Sequence, residues 1–298
     1  MTDWLLVNPR AGDGERNEAF WREHLARVGL EGARGCDLDN QDWVRDLASG
    51  DRILAAGGDG SINRAAALCL ETGASLAVLP SGTANDFFRN LGIDDDPDAI
   101  CQALVDYSAH PVDVAEGEFE GGLCLNVIHV GLGTMPARDA NANGDAKKRL
   151  GKVSYLLSFA RRIFTRRGFQ ATISTDSAAV SGRWLSIAIA NGGYFGGGTV
   201  VPGASMTSGE LKVIAVRPAS VLTLMGAFIT TRILGRTPKD NKTVVELASP
   251  RCHVTTRHIK TVTVDGDVAG KTPLDVTCRP GSLKVIGAFG EVRETPAQ

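Results

Sequence analysis

The sequence predicts a two-part chain, an α/β domain followed by an all-β domain that reads as a sandwich. Two textures predict it. The first hundred or so residues alternate apolar runs with amphipathic ones across glycine turns, and from about residue 111 short Val-, Ile- and Thr-rich runs are cut by Gly, Pro, Asp or Asn. The length of 298 residues is where one hydrophobic core usually stops growing, which suits two domains.

In the first part, "WLLVNP" reads as a short buried strand and "NEAFWREHLARVG" as a helix with Phe20, Trp21, Leu25 and Val28 on one face. "RILAAGG" is a second strand, "SINRAAALCLETG" a helix, "SLAVLP" a third strand and "DDDPDAICQALVDYSAH" a helix with Asp at its start. Such units build a parallel sheet whose ligands sit beyond the strand C-termini. The second part reads as strands at "CLNVIHVGLG", "QATISTD", "RWLSIAIANGG", "ELKVIAVRP", "KTVVELAS", "CHVTTRH", "TVTVDGD", "LDVTCRP" and "LKVIGAF". Helical inserts are expected at about 148–166 and 219–235. The expected boundaries are 1–112, with the tail 287–298 completing that domain, and 113–286.

Composition is that of a globular protein, 43% hydrophobic and 22% charged. The six cysteines fall singly, without C-x-x-C, as reduced core residues of a cytosolic protein do. The five histidines show no paired metal spacing. No signal peptide is read at "MTDWLLVNPR", and "VLTLMGAFITTRIL" is too short to span a bilayer. Charge is uneven. Of 32 Lys and Arg, eight lie between Lys147 and Gln170 without an Asp or Glu, leaving 24 against 34 acidic residues elsewhere. The segment 147–169 also carries Leu150, Val153, Leu157, Ala160 and Phe164 near helical spacing, the pattern of an interfacial helix on an anionic leaflet. A solvated basic helix packed on the sandwich is the plainer alternative.

Chemistry concentrates in two loops. Gly57, Gly58 and Gly60 follow a buried strand and precede a helix, where successive N–H groups turn toward an anion and the helix terminus adds partial positive charge. The spacing is neither G-x-G-x-x-G nor a Walker loop. Asp59 would repel a phosphate alone, so a bridging divalent cation or a hydroxyl is expected beside it. "LPSGTANDFFRNLGI" follows the next strand and packs Ser81, Gly82, Thr83, Asn85 and Asp86 where a strand meets a helix. A helix cap would explain it by itself. Two such loops on adjacent parallel strands favour a nucleotide site.

"NPRAG", "GGDGSIN", "PSGTANDF", "ANGGYFGGG" (190–198) and "VDGD" (264–267) resemble, in order and spacing, the bacterial diacylglycerol kinase-like lipid kinases of the YegS type, from about Trp4 to Ile286. "GGDG" is shared with 6-phosphofructokinases and NAD kinases; its pairing with the other motifs is more specific. The resemblance implies a Rossmann-like α/β nucleotide domain of the NAD kinase and phosphofructokinase kind, a β-sandwich domain and an active cleft between them. It implies transfer of the ATP γ-phosphoryl group, with Mg2+, to a lipid hydroxyl, in an enzyme at the inner face of the membrane and without a nucleic-acid partner. By this resemblance Gly57, Gly58, Asp59, Gly60, Ser61 and Asn63 cradle phosphates, Asn8 and Thr83 lie along the nucleotide with Ser81, Gly82, Asn85 and Asp86, and Asp59 sits near the metal and acceptor.

Two positions depart from the family pattern. Asp267 stands where relatives carry the Glu base of a D-G-E triplet, shorter by about 1.5 Å of reach; a D-G hairpin turn is its bland reading. Ser208 stands where relatives carry an Asp for a structural magnesium, which puts that ion in doubt. Ceramide, sphingoid bases, phosphatidylglycerol and monoacylglycerol are alternatives to diacylglycerol as acceptor. A soluble NAD or sugar-phosphate kinase and a catalytically weak nucleotide-sensing module are the competing readings.

Overall fold

The computed structural model describes residues 1–131, 168–220, 223, 224, 226 and 243–289. The insert expected at 148–166, residues 147–167 of the basic segment and most of the insert expected at 219–235 lie outside the described residues. The chain divides into two compact units, Met1–Asp113 with Gly196–Gly198 and the chain from Gly281, and Val114–Phe195 with Thr199–Pro280.

The first unit runs β1 (Asp3–Val7), α1 (Glu18–Arg27), β2 (Arg34–Cys36), β3 (Arg52–Gly57), α2 (Asp59–Thr72), β4 (Ser75–Pro80), α3 (Asp86–Arg89), α4 (Pro97–Asp106) and the start of β5 (Ala109–Gly117). Its strands are parallel in the order β2-β1-β3-β4. β3 and the last five residues of β4 are buried throughout, so they read as unbroken apolar runs, as strands covered on both faces do. β2 carries no such signal: Arg-Gly-Cys at a sheet edge shows neither alternation nor an apolar run. The Asp51 carboxylate anchors the strand starts, accepting from the N–H groups of Thr2 and Ala48 and from Trp4 Nε1. Arg52 forks onto Asp3 at 2.6 and 2.9 Å and donates to the Leu104 carbonyl.

Helix ends follow their caps. Asn17 accepts from Phe20 N, Asp96 from Ala99 N with Pro97 next, and Gly73 closes α2 in the left-handed region at φ 76°. The Asp96 cap starts α4 later than the sequence suggests, and extended Tyr107 ends it sooner. Trp21 and Leu25 face the core, whereas Phe20 and Val28 are half-buried.

The second unit holds β6 (Leu123–Cys124), β7 (Val127–Gly131), β8 (Phe169–Thr175), β9 (Ala179–Trp184), β10 (Ser186–Ala190), β11 (Tyr194–Phe195), β12 (Thr199–Val200), β13 (Leu211–Val216), β14 (Val244–Ser249), β15 (Arg251–Thr256), β16 (Thr261–Val264), β17 (Asp267–Lys271) and most of β18 (Leu274–Ile286). One antiparallel sheet runs β14-β13-β10-β7-β16-β17, and the strands β18-β15-β8-β9 form a second antiparallel array. Ile128, Val130, Ile189 and Val213 of the first share a core with Ile173, Val254 and Val276 of the second, as the alternation predicts for a sandwich. "LDVTCRP" and "LKVIGAF" form one strand of 13 residues rather than two, because Pro280 and Gly281 (φ 58°) bend it without ending it.

On the opposite face of the first sheet His129 is buried against Phe195, ring centroids 5.0 Å apart, and its Nδ1 has no hydrogen-bond partner. Burial pushes its pKa down to about 4 from 6.5. The unfolded chain therefore takes up this proton first, and stability present above pH 6.5 is lost as pH falls toward 4. We expect that loss to reach roughly 3 kcal/mol and to flatten in His129→Gln, read from urea midpoints at stepped pH.

Candidate functional site

Three loops of the first unit converge beyond the C-terminal ends of β1, β3 and β4, and the contacts allow no side chain where they meet. A Cβ on Gly82 would lie 2.5 Å from Gly58 Cα, and one on Gly12 (φ 64°) would lie 2.2 Å from the Ser81 carbonyl oxygen. A Cβ on Gly57 would strike Ser61 at 2.6 Å. Ser81 N donates to the Gly57 carbonyl at 3.0 Å and Asn8 N to the Ala56 carbonyl at 2.9 Å, tying the three loops by backbone. These glycines are required by close approach, the first reason a glycine cluster exists at a ligand loop.

The polar side chains of the loops mostly hold one another. Asn8 Nδ2 donates to Ser61 Oγ at 2.8 Å while its Oδ1 takes Arg10 N. Ser81 Oγ takes the indole N–H of Trp21 at 2.8 Å and is itself buried. Asn85, left-handed at φ 50°, closes a ring on Gly82 through both ends of its amide. Asp59 Oδ1 accepts from Phe87 N at 3.0 Å, linking the glycine turn to α3. The buried Asp86 carboxylate accepts from Gly197 N and Gly198 N at 2.8–3.1 Å. Asn63 lies half-buried one turn into α2, and Thr83 is exposed on the loop.

What faces outward is backbone and helix terminus. α2 starts at Gly58 with no side-chain cap, so the first N–H groups of a 14-residue helix carry their partial positive charge at the loop. The structure thus brings together Asn8, Gly57, Gly58, Asp59, Gly60, Ser61, Ser81, Gly82, Thr83, Asn85 and Asp86 at one corner. Sequence reading missed the part of Gly12, Gly197 and Gly198 in it, and Arg89, whose guanidinium lies within 3.3–3.5 Å of a Cβ built on Gly198. The available signal was Gly12 in "NPRAG" and Gly197 and Gly198 in "ANGGYFGGG".

Asp267 belongs to the second unit, exposed at the start of β17 opposite Val264. Asp265 (φ 47°) and Gly266 (φ 100°) form the two-residue turn before it, with the two positive φ values of a type I′ hairpin. The Asp265 carboxylate, absent from the sequence-derived site, accepts from the N–H groups of Leu125, Asn126 and Val127 at 2.8–3.0 Å and from the Cys124 thiol. Burial raises its pKa above the usual carboxylate range against the pull of those donors, and it raises the Cys124 thiol as well.

At the loop where relatives carry an Asp for a structural magnesium, Ser208 Oγ lies 2.9 Å from the Ser205 carbonyl oxygen and 3.1 Å from that of Glu210, so its one hydroxyl proton is shared with oxygens a cation would need. Among the described residues no group of three His, Cys, Asp or Glu gathers to hold a metal ion.

Fold and loops together define an α/β unit with glycine-lined loops beyond its parallel strands, joined to a β-sandwich. The family model "Diacylglycerol kinase catalytic domain" matches residues 3–116 and "YegS C-terminal NAD kinase beta sandwich-like domain" matches residues 126–287. The chain belongs to this family, and is a phosphotransferase of the lipid-kinase class. It is 34% identical to the "Probable lipid kinase YegS-like" of Pseudomonas aeruginosa, over 97% of this chain and 93% of that one. It is 32% identical to the protein of that name in Pseudomonas fluorescens, over 90% and 91%. The crystal structure of a diacylglycerol kinase from Bacillus anthracis shares the fold at TM-score 0.71, with 19% identity and 97% of each chain covered.

Gly82→Ala should lower stability by about 1–3 kcal/mol, while Gly60→Ala, whose Cβ meets nothing within 4 Å, should leave it unchanged or raise it, as measured by urea midpoints. The wild-type melting temperature should be the same in Mg2+ and in chelator, and Ser208→Ala should lower it in both; a chelator-sensitive wild type would restore the ion to that loop.

Proposed function

We propose that the chain transfers the γ-phosphoryl group of ATP to a hydroxyl of a lipid alcohol, diacylglycerol or a close relative of it, at a membrane surface. The observation that carries this is the side-chain-free corner of Gly12, Gly57, Gly58 and Gly82 at an uncapped helix terminus, in a chain of the diacylglycerol kinase family. Phosphoryl transfer asks a protein mainly for positioning and charge neutralisation, which backbone N–H groups supply.

On this reading the segment from Gly57 to Asn63 receives the phosphates, and Asn8 and Thr83 border the nucleotide. Asp59 is the carboxylate beside the phosphates and the one assigned to a nucleotide-borne Mg2+, which would supply neutralisation of the developing phosphate charge. Asp267 is the general base. The acceptor O–H bond breaks with its proton going to the Asp267 carboxylate, the new O–P bond forms, and the bond from the γ-phosphorus to the bridging oxygen breaks as ADP leaves. Proximity to the bilayer is assigned to the basic segment 147–169, on its sequence pattern.

Purified protein with labelled Mg-ATP and mixed micelles of diacylglycerol, phosphatidylglycerol, ceramide or monoacylglycerol should label one lipid. Asp59→Asn and Asp267→Asn should each lower the rate by about 100-fold or more. ATP bound with no lipid labelled would replace this reading by the nucleotide-sensing one.

A further inference from the structure

Within the second unit, one end of the strands carries an exposed aliphatic side chain together with several cations. Ile259, in the connection between β15 and β16, is 72% exposed, among the most exposed large hydrophobic side chains described. The connection that presents it is held firmly. Arg257 N donates to the Gln170 carbonyl at 3.1 Å, Lys260 N to Thr272 Oγ1 at 3.0 Å, and Thr272 N returns to the Lys260 carbonyl at 2.9 Å. The hydroxyls of Thr256 and buried Thr272 bond beneath it. The fold therefore fixes an apolar side chain in water instead of letting it turn inward.

The same end of the strands carries Arg183, Arg217, Arg257, Lys260 and Lys271. Strand register places them at this one end: Arg183 is opposite Gln170, Lys271 opposite Thr261, and the Lys260 ammonium lies 5.7 Å from the Phe169 ring centre. The Arg217 guanidinium lies 4.8 Å from the Trp184 ring centre. Among the described residues none of the five enters an ion pair. Three acids of this unit are paired with other cations, Asp176 with Arg251, Asp275 with His253 and Glu246 with Lys212. Glu120, which bonds the Ala269 carbonyl through its N–H, borders the patch beside Lys271.

We propose that this rim is a membrane-docking surface, in which Ile259 enters the interface of an anionic bilayer and the five cations meet lipid headgroups. Charge complementarity supplies the attraction and an exposed Ile on a rigid loop supplies the apolar anchor. Nucleic acid fits less well. Bases need an exposed aromatic face to stack on, and here Trp184 is buried and Lys260 lies over Phe169. The inference rests on the membrane-surface part of the proposed function, but uses described residues distinct from the basic stretch 147–167.

The test is co-sedimentation with phosphatidylcholine vesicles containing about one-third phosphatidylglycerol, at roughly 0.1 M salt. Arg257→Gln/Lys260→Gln/Lys271→Gln should bind at least tenfold more weakly, since each charge near such a surface is worth about fivefold. Ile259→Gln should weaken binding severalfold even at high salt, and Ile259→Trp should strengthen it. The two Ile259 variants keep the test open if the triple variant does not fold. Variants that bind as the wild type does, wild-type binding that is as strong to pure phosphatidylcholine, or wild type stripped from the vesicles by an RNA oligonucleotide would each overturn the proposal. Phosphorylation of a dispersed short-chain diacylglycerol, measured without vesicles, separates the two readings. Its absence from the wild type would end the kinase reading alone, and its retention in the variants is expected.

Discussion

Two backbone loops meet at Gly58 and Gly82 with no room for a methyl group between them, and the arrangement of the candidate site follows from that contact. The loops end neighbouring parallel strands, so they are about one strand spacing apart before they turn. Pressing them together leaves their N–H groups and the start of α2 as the polar face of the corner. Any side chain at the contact would part the loops and replace those dipoles with bulk. The price is loop entropy, which the polar side chains offset by bonding to loop backbone and to one another: Asn8 to Ser61, Asn85 to Gly82, Asp59 to Phe87.

This changes what a polar residue means in such a loop. Ser81, Asn85 and Asp86 were expected to touch a nucleotide directly. Their polar atoms also hold the loop in shape: Ser81 is bonded to Trp21, Asn85 to Gly82, and Asp86 to Gly197 and Gly198. Thr83, exposed on the same loop, differs from them in having its side chain at the surface.

The parts legible in the sequence were those governed by local physics. Unbroken apolar runs gave β3 and β4, alternation gave β8 and β15, and Asn17, Asp96 and Gly73 marked helix ends through interactions two to four residues away. The parts that were not legible depend on distant partners or on nothing local. Asp86 meets Gly197 and Gly198 across more than a hundred residues, and Asp265 meets Leu125 to Val127 across more still. No periodicity reports such a pairing. β2 escaped because an edge strand of Arg-Gly-Cys exists only by virtue of its neighbour β1. Ile259 looked ordinary in "RHIK", because a single Ile among cations becomes notable only when its exposure is known.

Asp265 and Asp267 flank one short turn with carboxylates in opposite settings, the first enclosed and hydrogen-bonded, the second exposed. Asp265 adopts a left-handed backbone that few residues other than Gly, Asn and Asp tolerate, and its enclosed carboxylate collects three N–H groups from the segment before β7. Removing it would leave those donors buried and unanswered, each a cost of about 1–3 kcal/mol. It therefore fixes the hairpin to the neighbouring strand. Asp267 follows immediately, exposed and paired in register with Val264, so its Cα inherits that rigidity. On the proposed role of Asp267 as general base, a carboxylate on a flexible loop could recover the missing methylene by moving, whereas one on this turn would need a closer seat for the acceptor hydroxyl or a single relaying water.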